Sequence, residues 1–518
     1  MDLSPPRVQI PPSPPLFMTL KLKNIIFFIL ASAIYSYVAI DSSLIINHQI
    51  NEKAILIPDY GKKYFNFKNQ FLGKNKKFFI DINFGHITDN CSNIIISPSI
   101  KYQKFKFKIN LDYLIDNQSS LYGNNWDDAF DFLEKIEYLD LFLFDDKFNL
   151  HLGEIKNLNF GHGYLLNNYG NSYNFPIDRD LGFIANWKNS NNSFKYEIFV
   201  SSLQDLSNSG GIIGQHVSFL ISESFPLRFG LGHVIDLNQF IDHNNLGLKR
   251  EIHGFEIDFD FPYLNNFLFI GELSGIRFPE KRYYKRVDDD QFTNDKKSRS
   301  GTWGLAFPGI KYINPKYEIQ LAFNYNSAVH SPYYFNNTYD FEKVRYRQYN
   351  IAQNESFYHD EADLLMSFSD SENNLFLPKD MYGMINNYEN SYQTYGFSSF
   401  IKFNLGSYSK MIVDYSYFSE INNKIDNLSF HTINVNLIGK YNILSFKAEF
   451  DLFFAKNFSE SSRMLDLEEN TMYGAKIDLN IYKKISIFGE YKNTFYDVDF
   501  IDGIDKVLYI NMGLKLKY

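Results

Sequence analysis

The chain has 518 residues, 45% of them hydrophobic and 18% aromatic, with a formal net charge of -9. One cysteine, Cys91, excludes a disulfide scaffold, and the acidic balance argues against nucleic acid as a partner. No second apolar run approaches the ~20 residues that a spanning helix needs, which excludes a bundle of transmembrane helices. Length alone suggests about three soluble domains, a prior that fails for one large β-barrel. The abundance of Lys, Asn, Ile, Phe and Tyr fits an AT-rich genome. The placement of the aromatics therefore carries more information than their number.

Residues 1–17 hold Pro5, Pro6, Pro11, Pro12, Pro14 and Pro15 and read as an extension before a second start at Met18. From Met18 the pattern is that of a secretory signal: Lys21 and Lys23, an apolar stretch opening with Ile25 to Leu30, and Ala31-Ser32-Ala33 for cleavage. An uncleaved anchor over 25–40 is the alternative. No cysteine follows closely, so lipidation is not expected. Residues 34–75 form a short segment before the first strand.

Period-2 alternation begins near residue 76 and marks strands with one apolar face. Phe105, Phe107, Ile109, Leu111 and Tyr113 alternate with Lys104, Lys106, Lys108, Asn110 and Asp112. Phe255, Ile257, Phe259 and Phe261 alternate with Glu256, Asp258 and Asp260. Phe446, Ala448, Phe450, Leu452 and Phe454 alternate with Lys447, Glu449 and Asp451. Such runs number about twenty, within a range of roughly 16–22, each on the order of 8–12 residues. They fall near 76–85, 94–102, 104–113, 138–144, 148–156, 181–188, 193–201, 212–222, 225–235, 251–261, 267–276, 301–309, 317–327, 392–405, 408–418, 429–440, 443–454, 471–481, 485–493 and 506–518. The segment 114–137 contains an expected helix, with Asn125 as cap, Asp127 and Asp128 in the first turn, and Phe130, Leu133 and Ile136 at helical spacing. Connections alternate short and long: 145–147 against 157–180, 406–407 after 328–391, 441–442 before 455–470.

The last run carries a further pattern. Leu508, Ile510, Met512, Leu514, Leu516 and Tyr518 share one face, and Tyr509, Asn511, Gly513, Lys515 and Lys517 share the other. Asn511, Gly513, Leu516 and Tyr518 resemble the C-terminal insertion signature of outer-membrane β-barrels. The resemblance implies an all-β, antiparallel, up-and-down transmembrane barrel over 76–518 with short periplasmic turns and long outer loops. It also implies a Gram-negative bacterial outer membrane, contact with its lipid and lipopolysaccharide, and delivery by the barrel-assembly machinery. Residues 34–75 then lie in the periplasm and are too few for the plug domain of a TonB-type transporter. In such a barrel the apolar face meets lipid and the charged face lines a wet lumen.

The most distinctive connection is 157–182. With the strands before it, Lys135, Ile136, Tyr138, Leu150, Gly153, Gly161, His162, Gly163, Tyr169, Asn171, Arg179 and Gly182 resemble a poorly characterised, porin-like group of large bacterial outer-membrane barrels, over about a fifth of the chain. That resemblance brings no established activity. The polar residues His162, Asn171, Asp178 and Arg179 either form a constriction or ligand patch, or order the loop on its own backbone. Glu256, Asp258 and Asp260, with Lys447, Glu449 and Asp451, are the remaining candidates for the lumen.

Enzyme signatures are not found: no G-x-S-x-G, H-E-x-x-H or P-loop. The clusters His359-Asp360-Glu361 with Asp363, Asp288 to Asp290, and the basic run from Lys281 to Arg286 read as solvated loop charges. The sequence therefore points to a non-enzymatic channel or transporter for small polar solutes, with no cofactor or metal. The alternative is a surface barrel that binds or assembles polysaccharide or protein. An outer-membrane lipid enzyme is the least supported.

Overall fold

The alternating runs form strands because each can turn one face to an apolar medium while its backbone pairs with its neighbours. The computed structural model describes residues 77–517 apart from 88–90, 117–128, 145–146, 172–179, 242–247, 265, 285–286, 289–290, 293–296, 328–329, 338, 349–373, 380–392, 406–408, 421–428, 444–445, 460–470, 483–484 and 497–504. The expectations for 1–33 and 34–75, for the cap at Asn125, for Asp178, Arg179 and Tyr518, and for the cluster from His359 to Asp363 lie outside those residues.

The strands, in order, are β1 Lys77–Ile87, β2 Cys91–Tyr102, β3 with its two halves Phe105–Ile109 and Leu111–Asp116, β4 Ile136–Leu143, β5 Phe148–Gly153, β6 Gly182–Lys188, β7 Phe194–Val200, β8 Ile212–Leu220, β9 Arg228–Asp236 and β10 Ile252–Leu264. There follow β11 Phe267–Tyr284, β12 Lys297–Ile313, β13 Tyr317–Asn326, β14 Thr394–Asn404, β15 Lys410–Glu420, β16 Ser429–Ile443, β17 Phe446–Ser459, β18 Thr471–Tyr482, β19 Ile485–Tyr496 and β20 Asp505–Lys517. Each pairs antiparallel with the next. β1 and β20 pair along Phe79↔Lys517 to Ile87↔Tyr509, which closes the sheet and removes both edges. The two halves of β3 both lie on β2 and are separated at Asn110, whose N–H donates to the Lys135 carbonyl at 2.6 Å. Twenty staves result. Every expected strand is present, most with ends shifted by a few residues.

One end of the barrel carries the short turns 103–104, 144–147, 189–193, 221–227, 265–266, 314–316, 405–409, 444–445 and 483–484. The other end carries 117–135, 154–181, 201–211, 237–251, 285–296, 327–393, 421–428, 460–470 and 497–504, with the short 88–90 as the exception. The expected helix in 114–137 appears as α1, Ala129–Glu134, with Phe132 and Leu133 exposed, but Ile136, expected at the same helical spacing, opens β4 instead.

The two faces separate as the alternation requires. Trp187, Leu231, Phe255, Ile257, Leu273, Leu321, Phe323, Leu452, Ile477, Met512 and Leu514 are exposed on the outside. Aromatic clusters lie at both levels of this surface. Near the long-connection end Trp303 packs on Tyr325, Phe397 packs on Tyr415 and Tyr417, and Tyr473 packs on Phe495. Near the short-turn end Tyr312 packs on Phe267 and Tyr317, and Tyr263 packs on Phe269. Two aromatic girdles around an apolar band are what a bilayer selects, because amphipathic rings sit best at the headgroup level.

The inner face departs from the simple expectation of a wet, charged lining. From β6 to β11 it carries Ile184, Phe199, Ile212, Val234, Ile252, Ile276 and Phe278, all buried. They are covered from within by the connections 154–171 and 330–344.

The outer and inner faces should respond oppositely to charge. Ile257→Arg, midway along the outer face of β10, is expected to destabilise the barrel by about 2–4 kcal/mol in lipid. Lys476→Gln on the inner face should change stability by less than about 1 kcal/mol. Urea midpoints for folding into lipid vesicles measure both.

Candidate functional site

After Gly153 the chain leaves the wall and turns into the barrel. Residues 155–171 run down and back as a hairpin: Leu158 and Tyr169 exchange backbone hydrogen bonds at 2.9 Å, and Phe160 N–H donates to the Leu166 carbonyl. The tip is Gly161-His162-Gly163. Gly161 and Gly163 have φ of +49° and +85°, a region that side chains disfavour. A Cβ on Gly161 would also lie 3.1 Å from both Asp258 and Glu272.

Glu272 of β11 holds this tip. Its buried carboxylate accepts the backbone N–H of His162 at 2.7 Å, of Tyr164 at 2.9 Å and of Leu165 at 3.2 Å. A turn pointing into a barrel has backbone donors with no strand to pair with, and one carboxylate here satisfies three of them. His162 Nε2 donates to the Phe259 carbonyl at 3.0 Å and lies 3.2 Å from Asp260 Oδ1. Burial opposes charge on this imidazole, but the carboxylates of Asp260, Asp258 and Glu272 outweigh it and push its pKa up to about 9. Tyr164 donates its hydroxyl to Asn326 Oδ1 at 2.5 Å.

A second segment, from the connection 327–393, meets the first. Tyr333 N–H donates to the Tyr164 carbonyl at 2.8 Å and Phe335 N–H to that of Leu165 at 3.1 Å, and Phe335–Asn336 pairs parallel with Leu166–Asn167. Tyr334, Phe335 and Tyr339 pack with Leu158, Phe160, Leu165, Leu166 and Tyr169 against the apolar inner wall. Gln239 donates to both Tyr334 and Tyr339, and Tyr339 donates to Asp236 at 2.8 Å. His330 bridges Ser274 and Thr302 and is held neutral by burial, its pKa pushed down to about 3. Together the two segments form a plug with an apolar centre and a polar tip.

The sequence candidates fall into separate places. His162, Glu256, Asp258 and Asp260 come together at the tip, with Glu256, Asp258 and Asp260 all buried. Asn171 is a latch at the mouth of the hairpin: its Oδ1 accepts from Ile155 N–H at 2.7 Å and its Nδ2 donates to Ser201 O at 2.6 Å and Asp180 O at 3.1 Å. Lys447, Glu449 and Asp451 lie on β17, well round the wall, in a different environment. Glu449 pairs with Lys440 at 2.6 Å, Lys476 with Glu490 at 3.3 Å and Lys515 with Asp478 at 3.0 Å. Asn511, Gly513 and Leu516 sit opposite Gly85, Asn83 and Ile80 in the closing pair. Sequence reading missed Glu272, His216 and the segment 330–344. The signal for Glu272 was a lone carboxylate in an otherwise apolar run, Phe267 to Ile276.

No protein-family model matches the chain, and no curated protein matches it. Solved structures similar to it include three large barrels. The siderophore receptor PirA from Pseudomonas aeruginosa is 7% identical over 86% of this chain and 81% of its own, with a TM-score of 0.35. OccK3 (OpdO) from Pseudomonas aeruginosa is 7% identical over 86% and 95%, with a TM-score of 0.32. Wzi from Escherichia coli, described as a carbohydrate-binding β-barrel involved in group 1 capsule assembly, is 11% identical over 85% and 84%, with a TM-score of 0.32. At these values the likenesses carry nothing about cargo. Closure, girdles and turn asymmetry stand on this chain's own geometry. The fold is that of an outer-membrane β-barrel.

Removing the anchor should free the plug tip. Glu272→Ala is expected to raise amide exchange at residues 160–166 by at least tenfold, because each charge-assisted hydrogen bond contributes about 1.5–3 kcal/mol. Mass-resolved hydrogen exchange in detergent reads this directly. The His162 contribution is fully present below the ordinary imidazole value of about 6.5. It is lost as pH rises through about 9. Exchange at the same peptide, corrected for its intrinsic pH dependence, should therefore increase between pH 7 and pH 10, and His162→Gln should remove that increase.

Proposed function

We propose that the barrel is a porin-like channel for small polar solutes, with the plug filling one side of the lumen and a charged, wet passage on the other. The carrying observation is a contrast in exposure. Around the tip, the inner-face side chains of Glu256 and Asp260 are 0% and 5% exposed. On β17 and β18 the inner-face side chains of Glu449 and Lys476 are 55% and 56% exposed. Lys156 where the plug begins its descent, paired with Glu154, is 60% exposed. Lys440, Glu449, Lys476, Asp478, Glu490 and Lys515 place both signs along this wall. Such a lining exchanges a solute's hydration for charged partners of both signs and favours small polar molecules over apolar ones. At the seam, the β20 pattern of Asn511, Gly513 and Leu516 would present the free edge to the assembly machinery before β1 pairs with it. Lipid and lipopolysaccharide would meet the outer girdles.

Planar bilayers test the channel reading. The purified barrel should conduct in discrete steps, and deletion of 158–169 should raise the single-channel conductance several-fold. Glu449→Lys combined with Asp451→Lys should shift the reversal potential toward anions. If neither the intact barrel nor the deletion conducts, the channel reading fails. Saturable polysaccharide binding by such a sealed barrel would instead support a surface-binding role.

A further inference from the structure

We propose that His216, Glu256 and Asp258 form a binding site for one divalent first-row transition metal ion beneath the plug tip. His216 Nε2 and one oxygen from each carboxylate lie within 4.8 Å of one another. His216 Nε2 is 2.8 Å from Asp258 Oδ2 and 3.8 Å from Glu256 Oε1. Ligand bonds of about 2.0–2.2 Å to a shared ion place donors about this far apart.

A cluster of this kind is not by itself a site, and Glu256 supplies the independent observation. Its side chain is 0% exposed, no N–H or hydroxyl of the protein donates to either of its oxygens, and its close neighbours besides His216 are the carboxyl groups of Asp258 and Glu272, the latter near enough to share a proton with it. Buried carboxylates are normally paired, because an ionised one without a partner gives up its hydration for nothing. A proton shared with Glu272 answers one of these oxygens at most, and a metal ion would supply the positive charge that three clustered carboxyl groups lack.

The wall makes room for these side chains. His216 on β8 lies opposite Gly232 on β9, and Gly232 lies opposite Glu256 on β10. A Cβ at Gly232 would be 2.4 Å from Glu256 Oε1, and one at Gly230 would be 2.0 Å from Asp258 Oδ2. The two glycines let carboxylates of β10 lean across β9 toward the imidazole of β8. Phe160 of the plug stacks on the His216 ring at 5.5 Å and fixes its plane.

One imidazole nitrogen with two carboxylates is a mixed N/O set suited to Zn2+ or Mn2+. A cavity of about 100 Å³ reaches His216 and Asp258 and is lined toward the short-turn end by Lys147 and Lys188. Water in that cavity would complete the coordination sphere. Loading replaces the His216–Asp258 hydrogen bond, so the imidazole enters as the neutral ligand and releases any extra proton.

The test uses the full chain, folded in detergent, free of any histidine tag and stripped with EDTA, with ZnCl2 as probe. One equivalent of Zn2+ should be retained through gel filtration and seen by calorimetry. His216→Ala and the isosteric Glu256→Gln should each weaken binding at least tenfold. His253→Ala, which disrupts the half-buried His233–His253 pair at 3.1 Å, should leave it unchanged. Should the site variants fail to fold, Co2+ bound to the wild type gives a second readout: its absorption spectrum should report one nitrogen with oxygen ligands. Absence of stoichiometric binding by the wild type, undiminished binding by folded Glu256→Gln, or loss only in His253→Ala overturns the proposal. These results are independent of whether the barrel conducts.

Discussion

The interior of this barrel depends on one buried carboxylate. Glu272 takes three backbone N–H groups from the turn at 162–165. A polypeptide loop enters a barrel only if its backbone donors and acceptors find partners there. The strands of the wall have already spent theirs on each other. Side chains of the wall must therefore do the work, and an acidic group reaching three amides is an economical solution. With the tip fixed, Phe160, Leu165, Leu166 and Tyr169 are brought against Phe199, Ile212, Val234 and Ile252. Without it, those apolar side chains would have no reason to stay at this depth.

This anchoring explains why the lumen has two characters. A wet lumen wants polar residues on every inward position. From β6 to β11 the inward positions instead include Ile184, Phe199, Ile212, Ile276 and Phe278. Against water these would be unfavourable by about 25 cal/mol per Å² of apolar surface. They are stable because the plug covers them. On the other side the inner faces of β17 and β18 keep charges such as Glu449 and Lys476, which stand more than half exposed. The wall was written for a plug on one side and for solvent on the other.

The difference marks how far the sequence could be read. Where the inner face is charged and not covered, alternation is clean: Lys447, Glu449 and Asp451 against Ala448, Phe450 and Leu452 show strand, register and face at once. Where the inner face is plugged, both faces are apolar. Leu268 and Ile270 point inward and Phe267 and Leu273 outward, so the run reads as a strand without revealing its sides. The Gly-His-Gly turn was visible as a special element, and its inward direction was not. That direction is set by Glu272, 110 residues beyond His162, and nothing local records such a contact. The segment 330–344 was hidden for a similar reason. Its Tyr334, Phe335 and Tyr339 resemble any aromatic loop until Leu165 and Leu166 offer them a surface and a backbone edge.

The two infolded segments also constrain each other. Tyr333 and Phe335 donate to Tyr164 and Leu165, so the second segment is hydrogen-bonded to the same turn that Glu272 holds. Displacing one segment alone would strand buried backbone groups on the other, at about 1–3 kcal/mol for each group left unsatisfied. Small motions are therefore expected to carry both together. The plug is joined to β10, β11 and β13 by His162, Glu272 and Asn326. Toward β14 and β15 it is joined by Asn168, 3.5 Å from Asp414, and by Tyr333, whose ring lies 6.2 Å from that of Phe418 and whose hydroxyl reaches Ser398 and Ser416. The plug is therefore held by side chains from β10 round to β15 and stops short of the wall where the exposed charges of Glu449 and Lys476 stand.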